Sequence, residues 1–244
     1  LIPIHDTVPR RESPFVTWMI ILVNGLVFLL ELSFRPRALQ QLFYVFGVVP
    51  ARYVHPEWAT MVGLAGGGAL PFLTSLFLHS GWLHVIGNMW FLWIFGDNVE
   101  DRMGHFRFLA FYVLSGVAAG LVHVRFNPDA TVPTVGASGA IAGVMGAYLL
   151  SFPTARIVTL IPIFFFPIFV EIPAVFFIGL WFLLQLVSGG FSLVSPQAVG
   201  GIAWWAHIGG FVSGMVLLPI LRKRRRSYRR HYADEWFPFR HRRA

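Results

Sequence analysis

Residues 202–221 read IAWWAHIGGFVSGMVLLPIL, twenty positions without a formal charge in which Ala203, His207, Gly210 and Gly214 recur at helical spacing. That is about the length of apolar helix needed to cross a bilayer. The four recurring residues share one face of the helix, and a stripe of small residues is what allows a second helix to approach closely. His207 therefore sits where a neighbouring helix comes nearest. An ionisable ring at membrane depth is expensive and reads first as functional, the bland alternative being a ring that simply hydrogen-bonds a carbonyl.

Five further stretches have the same character: 15–32, 82–99, 106–126, 138–152 and 169–187. The fourth is short. Of the 244 residues, 56% are hydrophobic and 12% charged, and the mean hydropathy is +0.67. That balance suits a chain whose main solvent is lipid. With no ten-residue stretches of strand-like alternation, the expectation is an all-α polytopic membrane protein, a bundle of six transmembrane helices, rather than an outer-membrane barrel. The long stretch 34–72 is too polar and broken to cross. Its aromatic residues suit a first loop lying in the membrane interface. The division expected is a short N-terminal segment 1–13, a membrane domain 14–221 and a basic cytoplasmic tail 222–244. The apolar run 157–168 carries Pro162 and Pro167, and reads either as a bent start to the fifth span or as an interfacial loop.

The net charge of +8 comes largely from the block 222–230, directly after the last apolar stretch. Such a block meets anionic membrane lipid rather than nucleic acid. With both termini cytoplasmic, Arg10, Arg11, Arg102, Arg107, Arg156 and the tail lie inside, and Arg35, Arg37, Arg52 and Arg125 outside, as the positive-inside rule asks of an even number of spans. The expected setting is a bacterial inner (plasma) membrane. The first apolar segment is followed by Glu31, Phe34 and Arg35 rather than a small-residue cleavage site, so it reads as a retained span. There is no cysteine, which excludes a disulfide framework and a cysteine nucleophile.

Three patterns carry chemistry. Gly136-Ala137-Ser138-Gly139 opens the fourth span and puts Ser138 in a first helical turn, where free backbone N–H groups face an incoming ligand. Alone, Gly139, Ala142, Gly143 and Gly146 read as a packing face. Taken with His207, two small-residue faces can bring the Ser138 hydroxyl to a ring nitrogen, the pairing of nucleophile and general base used in acyl transfer. With no acid close to either residue in sequence, this is a dyad whose imidazole is oriented by packing or by an uncharged partner. Glu100 or Glu171 would have to come from afar. His84 and Asn88, at i and i+4, present two donors towards one point, as an oxyanion site requires. A metal site on His79 and His84 lacks a completing carboxylate and an HExxH pattern. A channel or carrier would need aligned polar residues, whereas Asn24, Glu171 and Gln185 look scattered.

In this order and spacing, GxSG, the final-span histidine and HxxxN resemble the rhomboid protease family, over about residues 15–221. The resemblance implies a six-helix core, no cofactor and serine-type endopeptidase cleavage of transmembrane-protein substrates in or near their membrane helix. It implies Ser138 as nucleophile, His207 as base, and His84 and Asn88 as oxyanion donors beside the Ser138 N–H. His79 and Glu100 are implied as structural residues near the site, Glu100 tying the second span to the first loop. Substrate would arrive laterally past the fifth span, with loop 188–201 as a cover. The family's Trp-Arg signature in the first loop is missing, and Ala142 stands where many members carry an aromatic residue against the histidine, leaving that support to Trp204 or Trp205. Inactive relatives that bind and escort membrane proteins lack the serine, the histidine or both; this chain keeps the full set.

Overall fold

The computed structural model describes residues 1–66, 68–163, 166–194 and 203–223. In chain order these form β1 (Ile2–Asp6), α1 (Phe15–Glu31), α2 (Pro36–Phe46), α3 (Pro50–Val54), α4 (Pro56–Met61), α5 (Leu70–Thr74), α6 (Trp82–Met103), α7 (His105–Phe126), α8 (Ser138–Ser151), β2 (Arg156–Ile163), β3 (Phe166–Pro173), α9 (Ala174–Val194) and α10 (Trp204–Leu221).

Every residue of α8 from Gly139 to Tyr148 is buried, with α6, α7 and α10 packed around it. A helix apolar on all sides suits such a central post. The position also accounts for its shortness. Fourteen residues rise only about 21 Å, and a helix sheltered by protein need not meet lipid along a full ~30 Å hydrocarbon layer. Helices α7, α9 and α10 are long and apolar enough to cross a membrane, and α1 and α8 are shorter apolar helices. α6 has the length, but its last two turns carry Asp97, Glu100, Asp101 and Arg102. The chain is an integral membrane protein, mostly helical.

Packing of α10 on α8 runs backbone to backbone. A Cβ added to Gly210 would fall on the carbonyl oxygen of Gly139, one on Gly214 on that of Gly143, and one on Gly146 on that of Phe211. On the α7 side, a Cβ on Gly139 would stand 2.6 Å from the Ala119 Cβ and one on Gly143 2.6 Å from the Ser115 Cβ. With nothing between the backbones, the register of α8 against α10 has almost no freedom.

The all-helical expectation is corrected at the opposite end of the bundle. Residues 157–163 and 166–168 are neither a helix nor a loop, but belong to the antiparallel strands β2 and β3, with β1 added to the other edge of β2. Ile157, Val158, Thr159, Ile161, Ile163, Ile168, Val170 and Ile172 supply the β-branched residues that a pleated surface favours. Pro162 faces Pro167 across the strand pair. Neither has an N–H, so theirs is a non-hydrogen-bonded pair, and alternation turns Pro167, Phe169, Glu171 and Pro173 outward on the free edge of β3. Two of those four positions offer no donor, which blunts an edge that would otherwise expose unpaired groups. Because 169–173 belong to β3, the fifth apolar helix starts at Ala174, not at 169.

The short N-terminal segment bonds to the bundle. The Tyr148 hydroxyl donates to Asp6 Oδ2, Asn98 Nδ2 donates to the same oxygen at 2.9 Å, and Trp90 Nε1 donates to the Pro3 carbonyl at 2.6 Å. The first residues are therefore part of the same folded unit. Lys223 closes this end, its Nζ 3.0 Å from both carboxylate oxygens of Glu12 and its N–H on the Arg102 carbonyl at 2.9 Å. Of the expected tail, residues 224–244 lie outside the described residues. Of the expected cover loop, 188–194 are the end of α9, and 195–201 lie outside the described residues.

Between α1 and α6 the short helices are tied to the bundle. α3 and α5 pack on α7, and Val48 and Thr134 exchange backbone hydrogen bonds of 3.0 and 2.8 Å. That bridge holds the segment just ahead of Ser138.

Candidate active site

Ser138 is the first residue of α8, and His207 lies in the first turn of α10. The seam of glycines brings these helix starts together, and Ser138 Oγ stands 2.8 Å from His207 Nε2. Both residues are half-buried. A hydroxyl and a ring nitrogen at this distance are placed for proton transfer.

The other ring nitrogen, His207 Nδ1, is 2.8 Å from Gln185 Oε1. Gln185 is buried on α9, and its Nε2 donates to the Trp181 carbonyl at 3.1 Å. The Trp181 ring lies 5.9 Å from the imidazole at 37°, and Trp204 meets it edge-on at 6.4 Å and 86°. Two tryptophans thus stand around the ring. Trp205 turns away and stacks on Phe126, centroids 3.9 Å apart.

Gly136, two residues ahead of Ser138, has φ +127°, a conformation that favours glycine. Its N–H donates to the Ser75 carbonyl at 2.8 Å. A Cβ here would stand 2.6 Å from His84 Nε2 and 3.6 Å from Asn88 Nδ2. His84 and Asn88 therefore converge on bare backbone immediately before Ser138. The Ser80 N–H points at His84 Nδ1 from 3.4 Å; an accepting Nδ1 leaves the ring proton on Nε2, facing Gly136. Asn88 Nδ2 is buried with no partner among the described residues.

His79 is buried beside this pair, its ring 5.1 Å from that of His84, and neither ring nitrogen has a partner among the described residues. Burial, with His84 as a second cause, lowers its pKa from 6.5 to about 4, so the ring is neutral near pH 7. Its backbone N–H points at both carboxylate oxygens of Glu31, at 3.2 and 3.3 Å. No group of three His, Cys, Asp or Glu side chains suited to a metal occurs among the described residues.

Glu100 is corrected in both place and partner. It sits near the far end of α6, sixteen residues, or about 24 Å of helix, from His84. It ties α6 to the start of α1 rather than to the first loop, accepting from the N–H groups of Val16 and Thr17 at 2.9 and 2.8 Å and from Thr17 Oγ1 at 2.7 Å. The reason is local. Pro14, the residue before α1, makes no side-chain cap, and a carboxylate from another helix takes over the exposed N–H groups. Glu171 is in β3, 3.8 Å from Arg156.

Residues 57–224 match the model of the Rhomboid domain. The chain belongs to the rhomboid family. Rhomboid-like protein 11, chloroplastic, of Arabidopsis thaliana is 32% identical over 219 residues, 88% of this chain and 68% of that protein. Rhomboid protein 1, mitochondrial, of Saccharomyces cerevisiae is 27% identical over 175 residues, 69% and 47% of the two chains. The Bacillus subtilis protein YdcA is 34% identical over 117 residues, 46% and 58%. This chain thus spans about half the length of the yeast relative. Two of these three rhomboid relatives are named for organelles, so the expectation of a bacterial inner membrane gains no support from them. Rhomboids are in general intramembrane serine proteases, and the family also includes members without activity.

Gln185 and Trp181 are site residues that the sequence motifs did not single out. A signal for Gln185 was available: an uncharged polar residue in the middle of an apolar stretch, four residues after Trp181, is a site hypothesis in itself.

Proposed function

We propose that this rhomboid is an intramembrane serine endopeptidase that cleaves transmembrane-protein substrates in or near their membrane helix, with Ser138 as nucleophile and His207 as general base. The observation that carries this reading is the 2.8 Å approach of Ser138 Oγ to His207 Nε2 across the glycine seam. As Oγ attacks the scissile carbonyl carbon, its proton passes to Nε2. The tetrahedral oxygen gains negative charge beside Gly136, where Asn88 Nδ2, His84 Nε2–H and the Ser138 N–H are the proposed donors. Collapse of the intermediate breaks the C–N bond as His207 returns the proton to the leaving amine, leaving an acyl ester on Ser138. Water, deprotonated by the same ring, then releases the acid and restores the serine.

A regular helix hides its carbonyls, so substrate helices with Gly, Pro or polar residues near the cut, which unwind readily, are the expected class. His79 is proposed as a structural neighbour of the donor pair. We further propose that α1, α6, α7, α8, α9 and α10 make six crossings, with α2–α5 in the interface. Both ends then share one membrane face with Arg10, Arg11, Arg102, Arg107 and Arg156, opposite the site. The test is cleavage of a single-span substrate in proteoliposomes by wild type, Ser138→Ala and His207→Ala. Wild type should cut and both variants should lose the product band; a product band from Ser138→Ala would overturn the assignment.

A further inference from the structure

We infer that Gln185 is a positioning residue for His207, setting its tautomer and tilt from α9; this rests on the reading of Ser138 and His207 as nucleophile and base. Two hydrogen bonds determine the amide's orientation. The Trp181 carbonyl can only accept, so the group 3.1 Å from it is the Gln185 NH2. The oxygen Oε1 therefore faces His207 Nδ1 at 2.8 Å. That oxygen also can only accept, so the proton of the neutral imidazole sits on Nδ1. The lone pair is left on Nε2, where the Ser138 hydroxyl stands 2.8 Å away. The flipped amide would set two carbonyl oxygens against each other, and the other tautomer would turn an N–H towards Ser138 Oγ and remove the base.

A neutral amide suits this location. Gln185 is buried between apolar helices, where an ionised carboxylate would be costly to desolvate. The amide gives up some stabilisation of the imidazolium that forms during attack, but keeps the ring orientation that attack requires. The same face of α9 supplies the rest of the support. Trp181, Gln185 and Gly189 follow at intervals of four. A Cβ at Gly189 would stand 3.0 Å from Ile208 Cδ1 and 3.6 Å from the Trp204 Cβ, so this glycine lets α9 seat closely against the start of α10. Alignment of the base thus depends on a third helix, beyond the two that carry the dyad.

The test compares Gln185→Leu and Gln185→Glu in the full chain. The readouts are kcat and KM on a single-span substrate over about pH 5.5 to 9, the rate at which a fluorophosphonate probe labels Ser138, and the melting temperature. Gln185→Leu should lose about 10- to 100-fold in kcat and labelling rate with little change in KM, less than the ~10⁴-fold lost when an orienting aspartate is replaced. Gln185→Glu still accepts from Nδ1–H and should keep most of the activity. Its added charge favours the protonated ring, so the acid limb of the profile should move to higher pH. Wild-type labelling of Gln185→Leu with an unchanged profile would overturn the inference. Should Gln185→Leu fail to fold, an unshifted profile in Gln185→Glu would do so. A wild type that neither cleaves nor labels overturns the dyad reading itself, whereas a labelled wild type matched by both variants overturns only the role of Gln185.

Discussion

At the end of the bundle that holds Ser138 and His207, helices meet through missing side chains; at the opposite end they meet through polar and charged ones. The first arrangement sets Gly210 and Gly214 of α10 against the carbonyls of Gly139 and Gly143. Backbone has no rotamers, so two side chains carried on it keep a fixed separation. The second joins α6 to α1 through Glu100, the N-terminal strand to α6 and α8 through Asp6, Asn98 and Tyr148, and the start of the tail to Glu12 through Lys223. Hydrogen-bonded side chains hold elements that only need to stay attached, and they bring pH dependence with them. Burial raises the pKa of Asp6 despite its hydrogen bonds, whereas the Lys223 ammonium lowers that of Glu12. Precision of placement and strength of attachment are thus supplied by different residue types in one molecule.

This contrast can be broken most severely at the seam. Gly210→Val would drive a side chain into the Gly139 carbonyl and should cost more than about 3 kcal/mol; loss of the monodisperse detergent peak, and of Ser138 labelling with it, is the expected result. Next comes Gly136→Ala. It forces a positive φ on a residue with a Cβ and crowds His84 Nε2, and it should lower kcat about 100-fold, near the effect of removing one oxyanion donor, in protein that still folds.

Glu100→Ala probes the other end. It leaves the first N–H groups of α1 and the Thr17 hydroxyl without their acceptor and should destabilise by about 2 kcal/mol. The melting temperature should fall while kcat/KM of the surviving folded fraction stays unchanged. A drop in kcat/KM would show that the two ends are not separable. The smallest effect is a pH trend at His79. Its folded pKa of about 4 lies below the ordinary 6.5, so the folded state binds fewer protons and stability is full above 6.5 and falls as pH drops towards 4. Between pH 7 and 5.5 the loss should be about 1 kcal/mol. A melting-temperature series should show it, and His79→Gln should flatten it.

Much of the helical layout was legible because apolar stretches and small-residue spacing are local. Five of the six expected spans start within two residues of their helices, and the exception, 169–187, is displaced by β3. The strand pair was misread because an apolar run with two prolines looks like a broken helix when its strand partner is not known. Glu100 was expected near the site because a carboxylate at the end of one helix gives no sign of which N-terminus lies beside it. Within the site, the small-residue faces and the His84–Asn88 pair were readable from spacing, since residues four apart on a helix necessarily share a side.

By itself, the sequence determined which residues line each face of each helix: Ser138 at a helix start, His207 within a stripe of small residues, two donors one turn apart on α6. Only the tertiary structure decided which faces meet. Gln185 reaches His207 from 22 residues away, Glu100 reaches Thr17 across 83, and Asp6 reaches Tyr148 across 142. Periodicity records the chemistry of a surface, but the partner of that surface follows from how closely two backbones can pack, and here the glycines of α8 and α10 permit the closest approach.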